Sequence, residues 1–218
     1  MIKTVIFDLD GTLLDSIKDL QACTNHTLKQ YGFPEHSVDA YKYFVGDGMR
    51  KLVERALPED KRKDEFIQVF LQDFLAYYNV HKEDFTQPYE GITELLMQLQ
   101  RDNFQIAVAT NKVENAAIEL IHKYFPEIKF STIVGQREGI PVKPHPQVIE
   151  DILAQTHTDL SEAIMVGDTS VDIKTAKNAN IKSIGVLWGF RTQEELQQAE
   201  ADYIIEKPEE IIAIVEKN

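Results

Sequence analysis

The chain has 218 residues, 43% hydrophobic and 27% charged, the balance of a soluble globular protein with room for one good core and a small accessory domain. Its net charge of −13 argues against nucleic acid or an anionic membrane surface as partner, because both require a basic face. A single cysteine, Cys23, precludes an internal disulfide, and no apolar run approaches the ~18 residues of a membrane span. The apolar stretch ahead of Asp8 is also too short for the core of a secretory signal, so a reducing cytoplasmic location is expected.

The first strand is expected at Val5-Ile6-Phe7, which runs straight into Asp8-Leu9-Asp10-Gly11-Thr12. From about Ser16 to about Asp84 the pattern is helical. One helix covers Leu20 to Tyr31, where Gly32 and Pro34 stop it, and Cys23 is expected to pack within it. A second starts near Met49, and a third runs from about Lys63 to Tyr78 with apolar Phe66, Val69, Phe70 and Leu75 at helical spacing. The chain is expected to return through Gln87-Pro88-Tyr89-Glu90-Gly91. Beyond this point short apolar runs recur at Ile106–Ala109, Thr132–Val134, Ile164–Val166, Ile184–Leu187 and Tyr203–Ile205. Amphipathic segments such as Ile92–Leu99 and Ala116–Ile121 lie among them. Runs that are apolar on both faces and separated by helices are the pattern of buried parallel strands. The expected architecture is therefore α/β: a doubly wound parallel sheet from residues 1–15 and 85–218, with residues 16–84 inserted as an α-helical subdomain.

The chemistry-bearing residues follow these runs, most of them directly and Lys143 further on. Asp8, Asp10, Gly11 and Thr12 follow the first; Thr110, Asn111 and Lys112 follow Ile106–Ala109. Lys143 lies in Val142-Lys143-Pro144-His145-Pro146, and Asp168 and Asp172 lie in Gly167-Asp168-Thr169-Ser170-Val171-Asp172. The carboxyl ends of parallel strands share one edge of a sheet, so these groups should converge. Several acids, one lysine, one hydroxyl and backbone amides freed by glycine describe a site for Mg²⁺ and phosphate. A shared cation also makes two carboxylates one residue apart tolerable.

These four segments resemble the motifs of the haloacid-dehalogenase-like phosphohydrolases: Asp8-Leu9-Asp10-Gly11-Thr12 the first, Thr110-Asn111 the second, Lys143 the third and Gly167–Asp172 the acidic fourth. The inserted helices match that family's cap, and Phe44-Val45-Gly46-Asp47-Gly48 with Pro88-Tyr89-Glu90-Gly91 are similar to its phosphoglycolate-phosphatase-like branch. The resemblance implies that Asp8 is the nucleophile and forms an aspartyl-phosphate, while Asp10 acts as general acid and base. It implies Mg²⁺ held by the Asp8 carboxylate, the Asp10 backbone carbonyl and Asp168, with Asp172 a direct ligand or an orienting group. Lys143, Thr110 and the Asn111 amide would then hold the transferring oxygens, helped by the loop at Gly11 and Thr12. In the helical subdomain Gly46, Gly48 and Arg50, and beside the second motif Lys112, are candidates for contacts to the rest of the substrate.

The second acid, Asp10, distinguishes the reaction class. Relatives that cleave carbon–halogen bonds lack it and cation pumps carry threonine there, so a turnover phosphatase is expected. A sugar phosphomutase resembling β-phosphoglucomutase would carry a cap histidine where this chain has Leu20, with His26 off register. A receiver-like signalling domain would place its acid pair and its phosphorylated Asp on different strands, and a non-catalytic ligand-binding member would not need every catalytic position filled. His145 is expected to shape the lysine loop, and Trp188 to pack beside the site. The expected substrate is a small phosphate monoester or pyrophosphate, handled by a monomer or homodimer without nucleic-acid or membrane partners.

Overall fold

The structure is a computed structural model that describes all 218 residues. In chain order its elements are β1 (Thr4–Phe7), β2 (Leu14–Asp15), α1 (Ile17–Gln30), α2 (Val38–Phe44), α3 (Met49–Ala56), α4 (Asp64–His81), β3 (Gln87–Pro88), α5 (Ile92–Arg101) and β4 (Gln105–Val113). Then follow α6 (Glu114–Tyr124), β5 (Phe130–Gln136), α7 (Gln147–Thr156), β6 (Ala163–Gly167), α8 (Ser170–Asn178), β7 (Lys182–Val186), α9 (Gln193–Gln198), β8 (Tyr203–Ile205) and α10 (Glu210–Lys217). Two compact units result: residues 1–14 with 88–218, and residues 15–87. No helix is long and apolar enough to cross a membrane.

In the first unit, a six-stranded sheet has the order β5-β4-β1-β6-β7-β8, every neighbouring pair parallel. Each of the six apolar runs of the sequence falls on one of its strands, only Leu187 lying just past the end of β7. Side chains alternate faces along β1: Val5 and Phe7 join a cluster with Leu95 and Leu99 of α5, Leu120 of α6 and Val215 of α10. Ile6 points the other way, into a cluster with Ile149 and Ile152 of α7 and Ala176 of α8. Helices on both faces exclude water from the strands, which is why these runs are apolar throughout. From β1 the chain builds outward through β4 and β5, then returns to β1's other side with β6. The order therefore reverses at β1, and a crevice opens at the carboxyl ends of β4, β1 and β6.

The second unit is helical, with α1 and α3 each packed on α4. The buried stripe of α4 is Ile67, Phe70, Phe74 and Tyr78, spaced three and four residues apart. Val69, which shares the helical spacing in the sequence, is half exposed. Helix α1 begins at Ile17, before Leu20, and Gly32 at φ 72° closes it, its N–H donating to the Lys29 carbonyl at 3.1 Å. Helix α2 is only two turns long, started by Ser37, whose hydroxyl accepts from Ala40 N at 3.4 Å. So short an element carries too little periodicity to stand out in the sequence.

The returning end of this unit is tied by Asp19. Its buried carboxylate accepts from the Phe85 N–H at 3.0 Å, the Thr86 N–H at 2.7 Å and the Thr86 hydroxyl at 2.5 Å. Replacing Asp19 by Ala leaves these donors without a charged acceptor, at a cost of about 3 kcal/mol in unfolding free energy. Urea unfolding monitored by circular dichroism should show that loss, with Asp19→Asn intermediate; a change below about 0.5 kcal/mol, the range of ordinary surface substitutions, would contradict the assignment.

Candidate active site

At the end of β1 the last rung to β6 is the Asp8 N–H donating to the Val166 carbonyl at 2.9 Å. Leu9 then turns into the apolar core, and its carbonyl accepts from Leu13 N at 3.0 Å and Leu14 N at 2.9 Å. Burying Leu9 between two acids sends Asp8 and Asp10 to the opposite side, above the crevice. Gly11 makes the turn at φ 91°, and a Cβ there would lie 2.4 Å from Asp168 Oδ2. Thr12 donates its hydroxyl to Asp168 Oδ1 at 3.1 Å, so its oxygen-bound proton serves Asp168.

Asp168 follows β6 directly and is fully buried. Its Oδ2 accepts from the Phe190 N–H at 2.8 Å, in the loop after β7. Trp188 of that loop packs on the core and donates Nε1 to the Thr12 carbonyl at 3.0 Å, so it also ties the β7 loop to the β1 loop. Asp172 is one turn into α8. Its Oδ2 accepts from Thr169 N at 3.1 Å and the Thr169 hydroxyl at 2.8 Å, closing a capping box, while Oδ1 accepts from Lys143 Nζ at 2.7 Å. Asp8, Asp168 and Asp172 thus offer carboxylate oxygens within 4.8 Å of one another, all buried.

The second segment has a local irregularity that its sequence conceals. Between Ala109 and Val113 of β4 the register against β5 shifts, because Ala109 pairs with Val134 but Val113 with Gln136. Four residues of β4 therefore span two of β5, a bulge that re-aims consecutive side chains. Thr110 and Asn111 remain in the strand and do not cap α6, whose N-cap is Val113. Thr110 is buried and its hydroxyl oxygen accepts from Lys112 N at 3.2 Å. Asn111 turns its side-chain amide to the Lys143 backbone. Lys112, its side chain wholly buried, donates Nζ to both oxygens of Asp10, at 2.9 and 3.0 Å.

Lys143 reaches into the centre of the cluster. Its ammonium donates to the Ala109 carbonyl at 2.8 Å and to Asp172, and pairs with Asp8 Oδ1 at 2.8 Å. Burial alone would lower its pKa, but the charges of Asp172 and Asp8 outweigh that and raise it. Burial pushes the Asp8 carboxyl up to about 7 despite the nearby lysine, and it holds Asp168 well above the carboxylate range, aided by Asp172 and Asp8. Fully ionised, the three buried carboxylates facing one ammonium would leave two negative charges in surplus. The raised pKa values of Asp8 and Asp168 are the protein's response to that surplus: without a cation, protons take it up. All three carboxylates are hard oxygen donors, the set that suits a divalent cation such as Mg²⁺.

A sequence model of the haloacid dehalogenase-like hydrolases matches residues 5–186. The chain belongs to this family. It is 31% identical over 216 residues to a phosphoglycolate phosphatase of Aquifex aeolicus, covering 99% of this chain and 98% of that one. It is 34% identical over 210 residues to a phosphoglycolate phosphatase of Neisseria meningitidis, covering 94% and 89%. Among solved structures, a Lactobacillus delbrueckii subsp. bulgaricus protein superposes with a TM-score of 0.92 at 28% identity over 98% of both chains.

Within this haloacid dehalogenase-like core the sheet edge gathers Asp8, Asp10, Gly11, Thr12, Thr110, Asn111, Lys112, Lys143, Asp168 and Asp172. Three side chains expected at the substrate are instead engaged within the protein: Lys112 faces the Asp10 carboxylate, the Asn111 side chain faces Lys143, and the Thr12 hydroxyl faces Asp168. The remaining candidates belong to the helical unit. Gly46 and Gly48 adopt φ of 121° and 85° ahead of α3, and the Arg50 guanidinium pairs with Asp64 at 2.7 Å on the surface. Neighbouring Arg55, which the sequence did not single out, donates to Asp47 at 2.6 Å and to the Phe44 carbonyl at 3.0 Å, fixing the Gly46-Asp47-Gly48 turn.

Sequence reasoning also passed over the Gly189–Phe190 amide support, whose one signal is a glycine just beyond a strand run. A Cβ on Gly189 would meet Asp168 Cβ at 2.2 Å and the Gly11 carbonyl at 2.4 Å, neither of them the flexible end of a side chain. Gly189→Ala should therefore displace Asp168 and reduce phosphatase turnover by at least about 100-fold, some 2.7 kcal/mol in barrier. The control is Gly139→Ala, at φ 74° with open space around it, which should cost only about 1 kcal/mol of stability and leave turnover intact. Equal activity of the two variants would contradict the close-approach argument.

Proposed function

We propose that the chain hydrolyses a small phosphate monoester in an Mg²⁺-dependent reaction through an aspartyl-phosphate on Asp8. That the chain is an enzyme, a phosphatase of the haloacid dehalogenase-like type, follows from its family and its relatives. The observation that carries the chemistry is the buried cluster of Asp8, Asp168 and Asp172 around Lys143 at the switch point of the sheet. Asp8, Asp168 and Asp172, with the Asp10 carbonyl, would hold the metal ion, which when bound neutralises phosphate charge and lets an anion attack an anion.

In the first step an Asp8 carboxylate oxygen bonds to phosphorus as the bond to the leaving oxygen breaks, and Asp10 delivers a proton to that oxygen. In the second, water attacks phosphorus and gives a proton back to Asp10, the bond from phosphorus to Asp8 breaks, and phosphate leaves. Lys112 fixes the direction of the Asp10 carboxylate, the base form that receives the proton from water, through both of its oxygens. In the acid form one oxygen carries the proton toward the leaving group and the other keeps the lysine. Thr110 donates its hydroxyl proton to a phosphoryl oxygen while Lys112 N binds the hydroxyl's lone pair. Lys143 compensates charge on Asp8 and on the transferring group. Phosphoglycolate, named for the relatives, is the first substrate to test; location in the cytoplasm, and a monomer or homodimer acting without nucleic-acid or membrane partners, complete the proposal.

The test is a panel of small phosphate esters and pyrophosphate with the parent protein and Asp8→Asn. With Mg²⁺ the parent should turn over at least one member, excess chelator should abolish the reaction, and Asp8→Asn, nearly isosteric, should lose essentially all turnover. Activity of Asp8→Asn within about tenfold of the parent, 1.4 kcal/mol in barrier, would overturn the covalent role. Asp168→Ala should raise the Mg²⁺ requirement strongly.

The Lys112–Asp10 pair generates a separate expectation. With Lys112→Met, Asp10 loses its anchor, so an alkyl ester that needs its leaving oxygen protonated should suffer about tenfold or more in kcat/KM. An aryl ester such as p-nitrophenyl phosphate, whose leaving oxygen needs less protonation, should change less than about threefold. Identical losses on both substrates would show that Lys112 does not act through Asp10.

A further inference from the structure

Lys143 has to hold a buried charge in place, yet it lies in the segment 137–146, between the end of β5 and the start of α7, where the chain forms neither helix nor strand. A loop lysine with four rotatable bonds is a poor fixed charge unless its backbone is anchored as well as its ammonium. The anchor visible here is Asn111. Its Oδ1 accepts from the Lys143 N–H at 2.8 Å, and its Nδ2 donates to the Lys143 carbonyl at 3.1 Å. This closed pair of bonds supplies what a neighbouring strand would otherwise give the loop. The chain atoms of Lys143 and its ammonium are thereby docked on the same strand end, the former at Asn111 and the latter at the Ala109 carbonyl. Asn111 can turn that way only because the β4 bulge falls between Ala109 and Val113. Its side chain is buried and presents a donor and an acceptor side by side, which an amide does and a carboxylate or hydroxyl does not.

We propose that Asn111 is a positioning residue that fixes the Lys143 backbone across the end of β4, and that its contribution to phosphoryl transfer runs through Lys143. This rests on the reading above, in which Lys143 is the charge stabiliser. The alternative is an Asn111 that meets the substrate itself, and the two differ in how its loss combines with the loss of Lys143. Residues that act as one unit are not additive, whereas independent contacts multiply.

The experiment is a double-mutant cycle of Asn111→Ala and Lys143→Ala, with kcat and KM measured on p-nitrophenyl phosphate at saturating Mg²⁺. Lys143→Ala should lower kcat by about 10²–10³-fold. Asn111→Ala should lower kcat by about 10- to 30-fold with KM within about threefold, the scale of losing a group that orients a reactive one. In the Lys143→Ala background the same substitution should change kcat by less than about twofold. Asn111→Asp, which keeps the acceptor for the Lys143 N–H, should recover part of kcat, and it carries the cycle if circular dichroism shows Asn111→Ala unfolded. Multiplying losses, an effect confined to KM, or parent-like kcat in Asn111→Ala would each overturn the proposal. A Lys143→Ala protein as active as the parent would instead overturn the charge-stabiliser reading on which it rests.

Discussion

Three carboxylates, of Asp8, Asp168 and Asp172, are buried within reach of one another, and a single ammonium, that of Lys143, is buried among them. Burying a charge without compensation costs several kcal/mol, so such a cluster survives only where the surplus is neutralised or finds hydrogen-bond donors. The rest of the first unit is arranged around that requirement. Donors come from four directions: Thr12 and the Phe190 N–H to Asp168, Thr169 to Asp172, and Lys143 to Asp8 and Asp172. Ionised together, the three acids would still exceed these donors by two negative charges, which is why the carboxyls of Asp8 and Asp168 hold their protons to raised pH. The same oxygens are those a divalent cation prefers. Stability and the proposed chemistry thus meet in one cluster: the repulsion that makes the metal-free site costly is what a bound cation would relieve.

Close approach is the second constraint. A Cβ on Gly11, Gly167 or Gly189 would come within 2.4 Å of Asp168 or Asp172 atoms, so the acids sit against bare backbone. Acids packed this way cannot swing away from one another, which keeps their oxygens converged and their N–H partners short. The sheet supplies the frame, since parallel strands covered on both faces can end at one edge where the order reverses at β1.

Much of this was written in local sequence. The apolar runs located every strand of the main sheet because burial on both faces demands uninterrupted apolar residues, and Asp8, Thr110 and Asp168 stood at their ends, with Lys143 in the loop beyond β5. What could not be read depends on register between segments far apart in the chain. The β4 bulge exists only relative to β5, so nothing in Thr110-Asn111-Lys112 announces that Asn111 will face Lys143 or that Lys112 will face Asp10. The Phe190 amide carries no side-chain signature at all. In the helical unit, Val69 and Ile67 are both apolar, and only the packing of α1 and α3 on α4 decides which of them is covered. Helix α2 escaped notice because two turns are too few for a period.

The claim that the surplus charge of this cluster calls for a divalent cation is tested most directly by metal-linked stability, without any substrate. A ligand that binds only the folded protein stabilises it by RT ln(1 + [L]/Kd), about 2.7 kcal/mol at a hundredfold excess over Kd. For a chain of this length that corresponds to a rise in melting temperature of roughly 5–10 °C. The account predicts a rise of that size when the metal-free protein is titrated with Mg²⁺ at constant ionic strength, and none in Asp168→Ala. A parent protein whose melting temperature stays the same in millimolar Mg²⁺ would contradict it.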